Sequence, residues 1–167
     1  MKLRKLKLKD AKFMYEWMTD CECNRNFRFD PKKITLKSCE NFIETSIQDK
    51  ENLNLAIVNE NDEYLGTISL KNINYNDLNA EYAISVRKKF HGTGVAKEAT
   101  LELLKYAFEE LKLNKVYLNV LSENVRAIRF YEKIGFKYEG EFKKHLRINS
   151  EYKDLKWYGF LEEYYRK

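Results

Sequence analysis

Between residues 80 and 100 an alternating strand runs through a short basic turn straight into a long amphipathic helix, and the turn holds two glycines, Gly92 and Gly94. In the strand, Tyr82, Ile84 and Val86 alternate with Ala83, Ser85 and Arg87, the period of a half-buried β-strand. The helix carries Val95, Ala99, Leu103 and Ala107 in one row, with Ala96, Thr100, Leu104, Phe108 and Leu111 beside it. Such a double stripe faces a core. The chain must therefore build a sheet around the strand and lay the helix across it. A glycine-lined turn at a helix start also leaves unpaired N–H groups aimed outward, which is a device for holding phosphate.

The rest of the chain supplies that sheet. Leu3, Leu6 and Leu8 among Lys and Arg read as a strand over residues 2–7, and Asp10 as the cap of a helix with Phe13, Met14, Trp17 and Met18 on one face. A polar, irregular stretch covers 20–33. Thr35 caps a second helix with Leu36, Cys39, Phe42, Ile43 and Ile47 at helical spacing. Residues 53–58 and 64–73 form a hairpin around a polar turn, and a second turn leads to the strand at 81–87. The glycine-led helix covers 94–113 and a buried strand 115–121. A further helix spans 123–134, with Val125, Ile128, Tyr131 and Ile134 on one side and Gly135 as a left-handed cap. Strands at 136–142 and 153–160 close the chain. Antiparallel strands feeding a crossover helix imply an α/β fold, a mixed and mostly antiparallel central sheet flanked by helices on both faces. No repeat or low-complexity tract interrupts it, so residues 1–167 read as one domain.

Composition removes several classes. No run of about 18 apolar residues exists to span a membrane, and the basic start lacks the apolar stretch of a signal peptide. The expected compartment is the cytoplasm. Cys21, Cys23 and Cys39 are an odd set, read as free thiols. With only His91 and His145 as further soft ligands, no zinc-like spacing arises and no metal is expected. The net charge of +5 is spread along the chain, whereas nucleic-acid binding wants a localised basic footprint.

The glycine turn fits neither common nucleotide loop. A G-x-G-x-x-G fingerprint fails at Lys97, and the turn is too short for G-x-x-x-x-G-K-S/T. The segment behind it is more specific. Asn124, Ala127, Tyr131, Gly135 and Phe136 follow a strand in the order N-x-x-A-x-x-x-Y-x-x-x-G-F. With His91-Gly92-Thr93-Gly94-Val95-Ala96 before it, the chain resembles the GNAT superfamily of N-acetyltransferases, in particular its ribosomal-protein-alanine and amino-sugar branch. The resemblance implies acetyl-CoA as co-substrate. It implies a pantetheine arm along Ile84, Ser85 and Val86, and a pyrophosphate on Gly92, Thr93, Gly94, Val95, Ala96 and Lys97. Asn124, Ala127, Phe130 and Tyr131 complete the cofactor side. His91 stands where the family has Gln or Arg, and Lys88, Lys89 and Lys97 are candidates for the missing charge.

Acetyl transfer to an amine requires a neutral amine, although an alkylammonium ionises near pH 10. It also needs a donor for the developing oxyanion and a proton for the thiolate. The resemblance implies direct attack without a protein nucleophile. It makes Tyr131 the acid, Glu81 the base, Asn124 a helix cap with a possible catalytic contact, and the N–H of Ser85 or Val86 the oxyanion donor. Glu139 and Glu141 are weaker candidates for the base. The acceptor side falls on residues 17–30 and 142–152. The segment 16–31 resembles enzymes that acetylate a nucleotide-linked amino sugar, with Arg25 and Arg28 for a diphosphate and Trp17 or Phe27 for stacking, beside Glu81. The alternatives are a protein N-terminal or polyamine acetyltransferase, or a non-catalytic acyl-CoA-binding module. The expected partner is a small-molecule amine. Tyr158, Phe160, Tyr164 and Tyr165 suit either the core or a homodimer interface.

Overall fold

The computed structural model describes residues 1–20 and 30–166. Among them seven strands form one sheet: β1 (Lys2–Lys5), β2 (Leu53–Val58), β3 (Tyr64–Asn74), β4 (Asn79–Val86), β5 (Lys115–Leu121), β6 (Lys137–Ile148) and β7 (Glu151–Leu161). Their order is β1-β2-β3-β4-β5-β7-β6, with every neighbouring pair antiparallel except β4 and β5. The helices are α1 (Ala11–Thr19), α2 (Leu36–Ser46), α3 (Val95–Lys105), α4 (Val125–Ile134) and a short α5 (Glu162–Tyr165). This is the mixed, mostly antiparallel α/β architecture that the pattern of the sequence implies.

Two apolar clusters cover opposite faces of the sheet. Ala11, Met14 and Trp17 of α1 and Cys39 and Ile43 of α2 pack on Ala56, Val58 and Tyr64. On the other face Ala99, Leu103 and Leu104 of α3 and Ile128 of α4 pack on Ile57, Ile68, Leu70, Tyr82, Val116 and Leu118. Ile57 and its neighbours Ala56 and Val58 divide between the clusters because strand side chains alternate. The double stripe on α3 is buried as its spacing requires, from Ala99 to Phe108. Beyond Lys105, however, the helix widens into a π-turn over Tyr106–Glu110, so it is not one regular helix to residue 113.

Local expectations fare unevenly. Thr35 caps α2, accepting from the Ser38 N–H at 3.0 Å. Asp10 does not cap α1 with its side chain. Buried, it accepts from the Lys7 N–H at 2.8 Å and pairs with Arg4 at 2.7 Å, while Arg4 also holds Asp62 at 2.5 Å. The side chain is drawn to the nearby guanidinium, which ties β1 to the β2–β3 turn. The last hairpin is longer than expected. β6 and β7 run almost to Asn149 and Ser150, both at positive φ, as a tight hairpin turn demands. The β6 residues are mostly exposed on both faces, so they show no alternation to read.

Gly66 on β3 meets β4 at close range. A Cβ there would lie 2.2 Å from the Ser85 carbonyl oxygen and 2.9 Å from the Val86 Cα. Both contacts are backbone, so neither can move aside. Gly66→Ala is expected to destabilise the fold by roughly 2–3 kcal/mol through overpacking, read as a lower urea midpoint. An unchanged midpoint would show that β4 yields freely.

Candidate active site

β4 and β5 pair only at their start. Asn79, Ala80 and Glu81 stand opposite Lys115, Val116 and Tyr117, and no pairing continues beyond Glu81. Each strand keeps its other partner: β4 follows β3 up to Val86, and β5 follows β7 over its full length. The two strands therefore part as a wedge.

The register shows which groups line the wedge. The Arg87 N–H donates to the Leu65 carbonyl at 2.8 Å, with Ser85 opposite Thr67 and Ala83 opposite Ser69. Groups bonding to one neighbour recur at every second residue of an antiparallel ladder. The backbone of Ala83 and Ser85 thus faces β3, while that of Tyr82, Ile84 and Val86 faces the wedge. Of the two expected oxyanion donors, Val86 is presented and Ser85 is turned away. An extended chain with amide groups, such as pantetheine, fits this edge as an added strand.

The wedge leads to the glycine turn. Gly94 is the N-cap of α3 at φ 89°, and Gly92 lies at φ 78°. A Cβ on Gly92 would meet nothing within 4 Å, and one on Gly94 only Glu98 Oε1 at 4.0 Å. Backbone conformation, not crowding, selects glycine here, and the space outside is open to a ligand. No side chain caps α3, which leaves the N–H groups of Val95, Ala96 and Lys97 for an anion. Thr93 is tied back, its hydroxyl donating to the Phe90 carbonyl at 2.7 Å.

Two of the basic side chains around the turn have partners within the protein. Lys89 donates to Glu63 at 2.6 Å and lies over the Phe90 ring. His91 Nε2 donates to the Val86 carbonyl at 2.8 Å, latching the turn to the end of the wedge edge. Arg87, which the sequence did not single out, is buried. It binds both carboxylate oxygens of Glu16 at 3.0 and 3.1 Å, donates to the Tyr64 carbonyl at 3.1 Å and lies 4.4 Å from the Phe13 ring centre. It fastens the end of β4 to α1.

The expected catalytic pair flanks the point of parting. Tyr131, on α4, packs edge-on to Tyr82 at 5.9 Å, the first β4 residue beyond the last β4–β5 pair. Phe130 and Phe136 also contact the Tyr131 ring. Burial pushes the Tyr131 phenol up to about 12, and among the described residues none hydrogen-bonds its hydroxyl. Glu81 precedes Tyr82 and so projects from the opposite face. Its Oε1 accepts from Asn119 at 3.0 Å and Lys71 at 3.3 Å, and its Oε2 accepts from Asn72 at 3.3 Å. These three partners escaped the sequence reading, although a polar Asn119 inside the apolar run of β5 was a usable signal. Asn124 caps α4, accepting from the Ala127 N–H at 3.2 Å.

The acceptor-side expectations gain less. Trp17 is buried in the α1–α2 core with its indole N–H 3.4 Å from the Tyr64 hydroxyl. A ring packed there offers no face for stacking. Arg25, Phe27 and Arg28 lie outside the described residues, as do Cys21 and Cys23. The stretch 142–152 is mostly strand. No helix is long and apolar enough to cross a membrane, among the described residues.

A split parallel pair leading to an uncapped helix start offers a strand edge to an extended ligand and first-turn N–H groups to an anion. The chain belongs to the GNAT acetyltransferase family, whose acetyltransferase (GNAT) domain matches residues 1–137, and it is an acetyl-CoA-dependent N-acetyltransferase. It is similar to the spermidine N(1)-acetyltransferase of Vibrio cholerae serotype O1, 29% identical over 98% of this chain and 94% of that one. The Escherichia coli K12 enzyme of the same name is 29% identical over 92% and 82%. The crystal structure of spermidine N-acetyltransferase from Vibrio cholerae in complex with CoA and spermine superposes with a TM-score of 0.91, at 27% identity and over 99% and 98% of the two chains.

Because His91 is latched to Val86, its replacement should loosen the turn without touching the chemistry. His91→Ala is expected to raise the KM for acetyl-CoA roughly 3- to 10-fold, the worth of one hydrogen bond, with kcat nearly unchanged. Steady-state kinetics at saturating amine checks this, and an unaltered KM would remove the latch.

Proposed function

We propose that this enzyme acetylates a primary amine of a small aliphatic polyamine of the spermidine class. The observation that carries the reading is similarity to spermidine N-acetyltransferases along nearly the whole chain. The amino-sugar expectation has lost its support. It rested on residues 16–31, of which Trp17 is buried and the remaining named residues lie outside the described part.

Roles for the side chains follow from the geometry around the wedge. Acetyl-CoA, when bound, supplies an acetyl group activated as a thioester. The N–H groups of Val95, Ala96 and Lys97 hold its pyrophosphate, and the edge of Ile84 and Val86 its pantetheine arm. The Val86 N–H polarises the acyl oxygen, a preorganised donor that needs no rearrangement. Glu81 takes the proton from the acceptor ammonium. The Tyr131 hydroxyl, on the other face of the sheet, hydrogen-bonds the sulfur as negative charge develops there.

A phenol held near 12 stays protonated through the neutral and mildly alkaline range, so Tyr131 remains a donor there. Its ionisation therefore contributes no falling limb to the rate below about pH 10. Tyr131→Phe is expected to lower kcat by roughly 100-fold, at the low end for a lost general acid, while the KM for acetyl-CoA changes little. Thiol release measured from pH 6 to 10 tests both points. Retained turnover in the variant would remove Tyr131 from the chemistry. Substrate class is tested by the same assay with spermidine, a nucleotide-linked amino sugar and an N-terminal peptide. Preferential turnover of either of the last two would overturn the polyamine reading.

A further inference from the structure

Three aromatic rings run diagonally across the sheet from Glu81. Tyr117 on β5 stands directly opposite Glu81 in the register. Trp157 on β7 lies 6.1 Å from Tyr117, and Phe142 on β6 lies 5.3 Å from Trp157, ring centre to ring centre. None of the three belongs to either apolar cluster. The helices on this face, α1 and α2, pack on β2 and β3 instead. Phe142 is exposed, and Tyr117 and Trp157 are half-buried. The Trp157 indole N–H is buried without a hydrogen-bond partner among the described residues. Contact with other rings, not a hydrogen bond, thus holds the indole in place, although an orphaned N–H is unfavourable.

The faces of these rings carry no cation of the chain. Elsewhere on the last hairpin, Lys156 lies 5.9 Å from the Tyr138 ring centre and Arg147 6.0 Å from that of Tyr152. Among the described residues no Lys or Arg lies over Tyr117, Trp157 or Phe142. The lysines beside the stripe are drawn aside, Lys71 to Glu81 at 3.3 Å and Lys115 to Glu139 at 2.7 Å. Gly159, opposite Tyr117 on β7, makes room for the second pair, since a Cβ there would collide with Glu139 and Lys115. Two carboxylates and two lysines balance, which leaves the ring faces as the selective element.

We infer that the stripe of Tyr117, Trp157 and Phe142 seats a second, non-reacting ammonium of the acceptor and so selects polyamines over amines with one nitrogen. This rests on the polyamine reading and on reaction beside Glu81. An aromatic face attracts an ammonium, and Trp attracts it best. The methylenes between the nitrogens lie along the same rings and leave water there. From Glu81 to Trp157 are two strand spacings, about 10 Å across the sheet. An aliphatic chain with nitrogens several carbons apart covers that reach, and a lone amino group does not. Phe142, one strand farther, serves the distal end of the chain.

The test compares spermidine with octylamine, an acceptor of similar length with one nitrogen, at saturating acetyl-CoA. Octylamine is read as a substrate or, where it is not turned over, as a competitive inhibitor. The proteins are the wild type, Trp157→Leu, Trp157→Phe and Phe142→Leu. Leucine keeps an apolar contact and removes the ring face. Trp157→Leu should lower the preference for spermidine over octylamine roughly 5-fold, the worth of one partly exposed cation–π contact. The loss should appear in the KM for spermidine, with kcat nearly unchanged. Trp157→Phe should recover most of it. Phe142→Leu, at an exposed position that folding tolerates, should lower the preference about 2-fold. An equal loss on both acceptors would reduce the stripe to an apolar wall, and an unchanged preference in both leucine variants would remove it from the acceptor's path. Either result overturns the inference and leaves the polyamine reading standing. A wild type that leaves spermidine unacetylated overturns both. Sedimentation covers the other occupant: if Phe142→Leu turns a dimer into a monomer, the stripe is an interface between copies and the inference fails. Thermal unfolding of each variant separates these results from misfolding.

Discussion

The parting of β4 from β5 is the constraint on which the site depends. Two parallel strands that begin as neighbours forgo their remaining hydrogen bonds, and buried backbone groups left unpaired are costly. The separation persists because each strand is held by its other neighbour. β5 is paired to β7 from Lys115 to Leu121, and β4 is paired to β3 from Glu81 to Val86. Arg87 then ties the end of β4 to Glu16 of α1 and to the Tyr64 carbonyl. On the far face, Tyr82, Tyr131 and Phe136 form an aromatic group at the apex. The wedge is thus an edge kept open by the rest of the fold, with the Val86 carbonyl on it held by His91.

The charge of the molecule works differently from what its excess of lysine suggests. Lys89 is paired to Glu63, Lys115 to Glu139 and Lys71 to Glu81, and His91 is turned to a backbone carbonyl. An anion at the glycine turn therefore meets the first-turn N–H groups of α3 and their aligned dipoles without Lys89, which is paired to Glu63. That grip is fixed in space by the helix and falls off within its first turn. It suits a diphosphate delivered to one spot better than a long polyanion, in keeping with the absence of a basic stripe in the sequence.

Much of this was legible in the residues. Local chemistry located the Thr35 and Asn124 caps, and the two-residue and helical periods located the strands and the α3 stripe. The paired motifs around Gly92 and Tyr131 marked the family. What was hidden depended on contacts between distant segments. Asp10 reads as a cap until Arg4 is folded beside it. Trp17 reads as a residue for stacking as well as for the α1 face until Tyr64 lies against it. The network on Glu81 joins β3, β4 and β5, which no local pattern can bring together. The extension of β6 escaped because a strand solvated on both faces carries no alternation.

Strand alternation also separates the carboxylate of Glu81 from the aromatic group that holds Tyr131. Glu81 and Tyr82 are adjacent in sequence, so their side chains leave opposite faces of β4. Glu81 joins the polar group of Lys71, Asn72 and Asn119, while Tyr82 joins Tyr131 in the aromatic core. A pantetheine arm in the wedge, as proposed, would lie between those faces where β4 and β5 part. Under the proposed roles, an amine at the carboxylate and the thioester sulfur at the phenol would lie on different sides of the acyl carbon. A slip of one residue in the β3–β4 register would carry the carboxylate into the aromatic core and the phenol of Tyr82 out of it. The hydrophobic pattern that fixes the register therefore also fixes which face of the sheet carries the Glu81 carboxylate and which the Tyr82 ring.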